Sequence, residues 1–290
     1  MSSKWRDGHR LDALRQDGSA RIRLPRSDAR SLSAVLLNTA GGLTGGDDIR
    51  WRATAGTGSR LSVATAASEK VYRTHGPPAR QRTTLSIESG ARLDWLPQET
   101  ILFDGARLER TLRADLATDA TLLAVEAIAF GRRASGEKLR TIGMRDRWQV
   151  YRGGTLLHAE AFRLDESPDL SPDAGTGDRS GGAPRAATRS RGALHGAGAM
   201  ATVLYCAPAG AEALERLTAE LHAIVERSAG SIGAPGATRE RTRAHGGVGA
   251  MDGRIVLRLL APSSFELRRI LLPCLSRLQG DTPLPRVWHV

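Results

Sequence analysis

Five carboxylates stand in sequence surroundings where a free negative charge is unfavourable. Glu99 follows Gln98 inside the largely apolar run WLPQETILF (95–103), and Glu126 interrupts the apolar run TLLAVEAIAF (121–130). The other three are Asp47 in GGLTGGDD (41–48), Glu69 in AASEKVYR (66–73) and Glu137 in GRRASGEK (131–138). A buried carboxylate needs a partner, because taking its charge out of water unpaired is costly. Arginine is plentiful enough to provide one, and carboxylate oxygens also suit weak binding of divalent cations. The spacing leaves both chemistries open.

Familiar catalytic and nucleotide-binding motifs do not fit the chain. In GGLTGGDD, Asp47 and Asp48 occupy the place where a phosphate loop needs Lys and Ser or Thr. In GTGSRL (56–61), Leu61 replaces the third glycine of a dinucleotide fingerprint. The seven histidines include no pair at i,i+3 or i,i+4 spacing, so no helical metal pair is predicted. We therefore expect a protein that is not an enzyme and has no tightly bound cofactor.

The composition predicts a globular and strongly basic protein. Its 290 residues carry a net charge of +11, and almost all of the basic residues are arginines. This charge is compatible with nucleic acid, an anionic membrane or an acidic protein as partner, and also with a GC-rich genome that favours arginine codons. No basic block is interleaved with aromatic residues, and the longest apolar run (121–130) is about half a membrane span. We therefore expect neither nucleic acid nor a membrane as a partner.

Two features predict a cytoplasmic protein. Cys206 and Cys274 lie in the apolar segments VLYCAP and LLPCLS, away from any CxxC or Cys/His cluster. That setting favours buried free thiols in a reducing compartment. The N-terminal segment also lacks the apolar stretch of a signal peptide.

The elements that must position the carboxylates are predicted to be mainly β-strands. Polar and apolar residues alternate through the first 165 residues, and strands are expected at 107–116, 121–130, 199–206 and 253–262. Turn-and-strand starts recur as GSRL (58–61), GARL (90–93), GARL (105–108) and DATL (119–122). Intervals of 32, 15 and 14 residues favour a β-helix or solenoid of stacked strands, with an ordinary β-sandwich as the alternative.

The C-terminal part predicts two helices after a polar segment. Residues 167–198 are rich in Pro, Gly, Ser and Arg and predict a flexible surface insertion. An apolar stripe that includes Leu214, Leu221 and Val225 predicts a helix over 211–229. A second helix is expected over 263–279, where Ser263 and Glu266 have the spacing of a capping box.

Five ordered motifs resemble one family, the urease accessory protein UreD family, whose members are called UreH in some organisms. They are NTAGGLTGGD (38–47), AASEKVYRT (66–74), WLPQETILFDGARL (95–108), GRRASGE (131–137) and PRVW (285–288). The likeness is close over residues 33–139 and looser to the C-terminus, and the stretch 171–191 departs from the usual family length.

The resemblance implies a single domain over residues 1–290, with a β-helical scaffold that carries two helices. It implies a non-enzymatic maturation factor that binds UreF, recruits the GTPase UreG through UreF, and docks on apo-urease. It also implies that nickel in transit passes through the protein interior. The candidates for a polar nickel path are Glu99 first, followed by Asp47, Glu69, Glu126 and Glu137. The alternative is a protein-binding scaffold that never contacts nickel. Under this resemblance, the net positive charge has a further interpretation, a surface that attracts acidic protein partners.

Overall fold

The computed structural model describes residues 1–25, 30–132, 137, 139–164, 197–230 and 244–289. Two β-sheets face each other in this part of the chain, and two helices cover one of them. The mainly β fold with two C-terminal helices is therefore confirmed. The predicted insertion at 167–198 lies outside the described residues, apart from its last two positions.

Seventeen strands and two α-helices make up the described fold. The first strands are β1 (Ser2–Trp5), β2 (His9–Ala13), β3 (Ala20–Arg23), β4 (Leu32–Asn38), β5 (Asp48–Ala55), β6 (Arg60–Thr65), β7 (Glu69–Val71), β8 (Ala79–Ile87) and β9 (Arg92–Leu96). They are followed by β10 (Thr100–Leu102), β11 (Arg107–Leu116), β12 (Thr121–Phe130), β13 (Gly143–Arg152), β14 (Thr155–Leu164), β15 (Ala199–Cys206), β16 (His245–Met251) and β17 (Arg254–Ala261). The helices are α1 (Ala211–Gly230) and α2 (Ser264–Gln279), and a 3₁₀ helix covers Arg286–Trp288.

From β4 to β13 the chain passes back and forth between the two sheets, as in a β-helix, whereas antiparallel pairs such as β1/β2 and β13/β14 stay within one sheet. Sheet A has the order β14-β13-β11-β8-β5-β1-β2, and sheet B the order β16-β17-β15-β12-β9-β6-β4-β3, with β10 paired to β12 and β7 paired to β10. Within sheet B the strands β4, β6, β9 and β12 are parallel, and within sheet A so are β5, β8, β11 and β13. The chain therefore winds through one strand of each sheet per coil, which confirms the solenoid-like prediction over the sandwich.

The recurrent turns mark the coil. Arg60 is paired with Arg92, and Arg92 with Thr121, so one full coil separates the strand starts that the repeated GxRL motifs predict. The shorter 14- and 15-residue intervals separate neighbouring strands that belong to different sheets. Gly58 and Gly90 both have positive φ, and a Cβ on Gly90 would lie 4.0 Å from the Cα of Gly58. The two turns are thus stacked, and glycine provides the left-handed backbone that each requires.

Strand β12 is buried on both faces, as its unbroken apolar pattern predicts. One face packs between the sheets, and the other packs under α1 and α2, which lie on the outer side of sheet B. The predicted stripe of α1 is confirmed in Leu214, Leu221 and Val225, which are buried against this side. In the described residues no helix has the length and apolar character needed to span a membrane.

The predicted cap and thiols are also confirmed. Ser263 is the N-cap of α2 and accepts a hydrogen bond from the backbone N–H of Glu266 at 3.5 Å. Cys206 and Cys274 are buried free cysteines, and burial raises the pKa of each thiol to about 12. Both thiols therefore stay protonated and unreactive at neutral pH.

Candidate functional site

Three charged side chains meet between the two sheets. Arg110, on β11 of sheet A, donates from Nη1 to Oε2 of Glu126 on β12 of sheet B at 2.6 Å. Its Nη2 donates to Oδ2 of Asp146 on β13, also at 2.6 Å. All three residues are buried, and Arg110 is only 2% exposed. We call Arg110, Glu126 and Asp146 the buried ion cluster.

Strand alternation places these side chains in the interior. In β11, Arg110 lies between the buried inward residues Leu108 and Leu112. The parallel register puts Asp146 of β13 directly beside Arg110. Glu126 lies on the face of β12 that packs between the sheets, since its alternate neighbours belong to the core there.

Two neighbours add hydrogen bonds to the cluster. Trp95 of β9 donates from Nε1 to Oε1 of Glu126 at 3.1 Å. Arg110 also donates to Oγ1 of Thr100 at 3.3 Å. Among the described residues, Oδ1 of Asp146 and Nε of Arg110 have no hydrogen-bond partner. The cluster therefore retains one free carboxylate oxygen for a further partner.

The cluster is electrostatically unbalanced, because two carboxylates share one guanidinium. Burial raises the pKa of Glu126, Arg110 opposes that rise, and Asp146 adds to it. Burial lowers the pKa of Arg110, but Asp146 and Glu126 outweigh this effect and raise it overall. Arg110 is therefore a permanent cation, and the fully ionised cluster has one surplus negative charge in a setting that favours an additional cation.

Two spaces lie next to Trp95 and the cluster. A cavity of about 800 Å³, which we call the N-terminal cavity, reaches from the exposed Arg15–Ser19 segment and the edge of β5 inward to Trp95. A small void of about 10 Å³, room for roughly one water, is lined by Glu126, Asp146 and Glu160 among others. Trp95 lines the first space and Glu126 the second, and we call their hydrogen bond the partition between the two spaces.

Asp47 lies at the outer end of the N-terminal cavity, and Glu69 is hydrogen-bonded to a residue that lines it. Asp47 is exposed, lines the cavity and accepts from the backbone N–H of Thr44 at 2.8 Å. Asn38, which also lines the cavity, donates to Oε1 of Glu69 at 3.1 Å. Burial raises the pKa of Glu69 to about 7. The negative charge of Asp47 also raises this pKa, whereas the hydrogen bond from Asn38 lowers it. Glu69 is thus close to half ionised at neutral pH.

Gln98 and Glu99 anchor the C-terminal end of the chain. Gln98 donates from Nε2 to the carbonyl of Val287 at 2.6 Å and accepts from Nη1 of Arg268 at 2.6 Å. The same Nη1 lies 3.5 Å from Oε2 of Glu99, and Nη2 donates to the carbonyl of Trp288 at 3.1 Å. These polar residues therefore interrupt the apolar run because they join sheet B to α2 and the 3₁₀ helix.

Trp288 completes this C-terminal anchor. Its indole is buried, donates from Nε1 to the carbonyl of Leu96 at 3.0 Å, and lies 5.1 Å from the guanidinium of Arg268. The motif PRVW is thus tied to the motif WLPQETILF, although almost 200 residues separate them in sequence.

Glu137 lies in a surface pocket of about 540 Å³ at the end of β10 and β12. Its carboxylate accepts from the backbone N–H of Arg132 at 2.9 Å and from the backbone N–H of Asp104 at 3.2 Å. The guanidinium of Arg132 lies over the ring of Phe103 at 4.4 Å. Glu137 therefore links Arg132, just after β12, to Asp104, just after β10.

The five candidate carboxylates do not gather at one point. Glu126 lies at the partition between the two spaces, Asp47 lines the N-terminal cavity, and Glu69 is joined to it through Asn38. Glu99 and Glu137 lie elsewhere, each beside an arginine. Within the described ranges, no group of three or more His, Cys, Asp or Glu side chains is close enough to hold a metal ion.

The sequence pattern alone did not identify two members of the buried ion cluster. Arg110 was visible as the one polar residue on the apolar side of 107–116, and this is the signal that marks it. Asp146 likewise lies between the apolar residues Met144 and Trp148 on the inward face of β13, so the same criterion would have found it.

The similarity to known proteins extends over nearly the whole chain. The family model described as UreD urease accessory protein matches residues 2–289. The chain is 43% identical to the urease accessory protein UreD of Chelativorans sp. (strain BNC1), over 100% of this chain and 92% of that protein. It is 41% identical to that of Rhizobium leguminosarum bv. viciae, over 100% and 93%. It is 40% identical to that of Agrobacterium fabrum (strain C58), over 97% and 86%.

Proposed function

Because this chain belongs to the UreD family of urease accessory proteins, which gives it a role in urease maturation, we propose that it is the scaffold that bridges apo-urease to UreF. Through UreF it is linked to the GTPase UreG, and it acts in the cytoplasm without catalysing a reaction. Nickel is its cargo, and nickel passes through the interior of the β body.

The buried ion cluster carries the proposal of an internal nickel path. A packed β core has no structural need for three ionised side chains, since apolar residues of similar volume are often as stable or more stable. Here the cluster lies at the partition between the N-terminal cavity and the small void, and its two carboxylates outnumber its one guanidinium. That charge favours a cation on either side of the partition.

The positions of the polar groups define a route for the ion. Asp47 and Asn38 line the N-terminal cavity, Glu126 stands at the partition, and Glu160 lines the small void beyond it. Each point offers oxygen ligands, which hold nickel less tightly than a cage of His and Cys and so allow its release. Glu99 and Glu137 are weaker candidates, because each lies beside an arginine and outside both spaces.

Passage requires a change at Arg110. In the described state both amino groups of Arg110 are bound to carboxylates, so the cluster is closed. A dication that reaches Glu126 competes with the guanidinium for the same oxygens. Arg110 then keeps its pair with Asp146 while Glu126 contacts the ion, which leaves no buried charge without a partner.

The test is co-expression with UreF, UreG and apo-urease, comparing Glu126→Gln with the wild type. The glutamine side chain keeps the shape of the glutamate, and its one oxygen can accept from Trp95 or from Arg110, while the surplus negative charge is removed. We expect normal recovery of the complex with UreF and at least about tenfold less nickel in the recovered urease. Glu212→Gln is the matched control, because Glu212 is exposed and pairs with Arg216 on the solvent side of α1, away from both spaces. The control should give wild-type nickel content, and a Glu126→Gln protein that does the same removes Glu126 from the path.

The second candidate is a scaffold that binds urease and UreF and never contacts nickel. The C-terminal anchor favours it, since Gln98 and Glu99 of the motif WLPQETILF are engaged in holding α2 and the 3₁₀ helix. In that case Glu99→Leu should weaken binding to UreF together with urease activation. If Glu99 instead lies on the nickel path, the same change lowers activation and leaves UreF binding intact.

A further inference from the structure

The outer face of sheet A is an open surface covered with arginines. In the five strands β5, β8, β11, β13 and β14 the inward side chains pack toward the core, and the alternate side chains point to solvent. No helix of the described part covers this face, whereas α1 and α2 cover the outer face of sheet B. We call this surface the arginine face. Its exposed arginines are Arg50, Arg52, Arg113, Arg145, Arg147 and Arg163.

The strand register arranges the charges in rows across the sheet. One row runs from Arg50 through Arg82 and Thr111 to Arg147. Because neighbouring strands lie about 4.8 Å apart, such a row presents several guanidinium groups within about 15 Å. Arginines that are scattered through the sequence are therefore concentrated on one side of the molecule.

The face contains carboxylates that hold part of the arginines in place. Asp48 lies 2.8 Å from Nη2 of Arg50 and is also paired with Arg82. Arg50, followed by Arg82, lowers the pKa of Asp48 to about 2, even though partial burial acts in the opposite direction. Glu109 lies 3.2 Å from Nε of Arg80. With Asp115, three acidic side chains lie on these strands of the face, so the arginines clearly outnumber the carboxylates there.

We propose that the arginine face is a docking surface for a folded protein whose facing surface is rich in carboxylates. Guanidinium groups bind carboxylates through two parallel hydrogen bonds, and arginines already held by neighbouring groups lose less side-chain freedom on binding. The inference rests on the proposed function, because a maturation scaffold must meet at least one protein partner.

The size of the face suits a specific interface. Five strands at about 4.8 Å spacing and about ten residues at about 3.3 Å rise give on the order of 800 Å². That area matches the share that each partner contributes to a standard protein–protein interface, roughly 800 Å². A single folded partner can therefore occupy the whole face.

The chemistry of the face favours protein over nucleic acid. Tyr151 is the aromatic residue in these rows, and its ring is covered by the guanidinium of Arg113 at 4.4 Å. Bases therefore find no open aromatic surface for stacking in the described part of this face. Asp48, Glu109 and Asp115 would also repel a phosphate backbone, whereas in a protein interface they select for the correct register of opposing charges.

The experiment reverses two charges on the face and two on the opposite side. The face variant is Arg145→Glu/Arg147→Glu, on β13, well away from the N-terminal cavity. Arg147 has no side-chain partner in the described part of the chain, and Arg145 lies 3.8 Å from Glu109. The control variant is Arg269→Glu/Arg286→Glu, which makes the same change of charge at exposed positions on the helix side. Circular dichroism and thermal unfolding establish that both variants are folded.

Binding is measured to purified apo-urease and to purified UreF in separate titrations at about 50 and about 300 mM NaCl. We expect the face variant to bind one of these proteins at least about tenfold more weakly at the lower salt, with the difference reduced at the higher salt because salt screens the exposed charges. The control variant should stay within about twofold of the wild type for that protein.

Three outcomes would overturn the inference. They are equal affinities of the face variant and the wild type for both proteins, an equal loss in the control variant, and competition for the face by a duplex of about 20 base pairs at about 150 mM NaCl. The last result would make the surface a nucleic-acid site. Failure of the proposed function gives a different result, since the wild type itself would then bind neither apo-urease nor UreF.

Discussion

Replacing Arg110 by Met should destabilise the protein more than replacing Glu126 by Gln. Without Arg110, Glu126 and Asp146 face each other as two buried carboxylates with no cation between them. Removal of one partner from a buried ion pair costs about 3–5 kcal/mol. In Glu126→Gln, by contrast, Arg110 keeps its pair with Asp146, but the single amide oxygen can accept from only one of Trp95 and Arg110, and the loss of the other hydrogen bond costs about 1–3 kcal/mol.

The assay is equilibrium unfolding in urea at pH 7, with the free energy of unfolding extrapolated to water for each variant. A third variant, Arg110→Met/Glu126→Leu/Asp146→Leu, should be within about 2 kcal/mol of the wild type, because it replaces the whole cluster with apolar side chains. Acidification is a second check, since protonation of the two carboxylates should recover part of the loss in Arg110→Met. An Arg110→Met protein within about 1 kcal/mol of the wild type would refute the reasoning, because it would mean that water reaches the cluster freely.

Three further changes test other parts of the structure. Glu69 has a pKa of about 7 against an ordinary value of 4.5, so the native state binds the proton more tightly and loses stability as the pH rises through this range. Glu69→Gln should therefore match the wild type at about pH 4.5 and exceed its free energy of unfolding by up to about 3 kcal/mol at about pH 8; equal values at the higher pH would contradict the raised pKa. Trp288→Ala removes a buried indole and its bond to Leu96, and should cost about 3–5 kcal/mol in urea unfolding, with a loss below about 1 kcal/mol arguing against the C-terminal anchor. Ser263→Ala removes the N-cap of α2 and should cost about 1 kcal/mol, while Ser276→Ala, at an exposed position in the same helix, serves as the control.

Much of the fold is predictable because its signals are local. The strands β11, β12 and β15 begin and end where their alternation or unbroken apolar pattern predicts. The repeated turns mark the coil, since each strand needs a glycine or a polar turn before it. The helix α2 is predicted by its N-cap, and α1 by its apolar stripe. Each of these features depends on neighbours within a few residues along the chain.

The candidate site is less predictable because its contacts depend on the length of each coil. The register sets Arg110 beside Asp146 only because 36 residues separate them. In the preceding coil, the paired residues Arg82 and Thr111 are 111 − 82 = 29 residues apart. Nothing in the local pattern fixes that difference. Gln98 likewise reaches Val287 across 189 residues. The sequence could therefore mark Glu126 and Glu99 as carboxylates that need partners, but it could not identify the partners.

The most direct measurement of the internal path is nickel transfer in the presence of a competing chelator. Nickel-loaded UreG, UreF, this protein and apo-urease are assembled, and a chelator too bulky to enter the N-terminal cavity is added before transfer begins. If nickel moves inside the β body, urease activation should proceed in excess chelator at close to its rate without chelator. If activation is abolished, while the complex stays intact and free nickel is fully captured, nickel travels through bulk solvent and the internal path is contradicted.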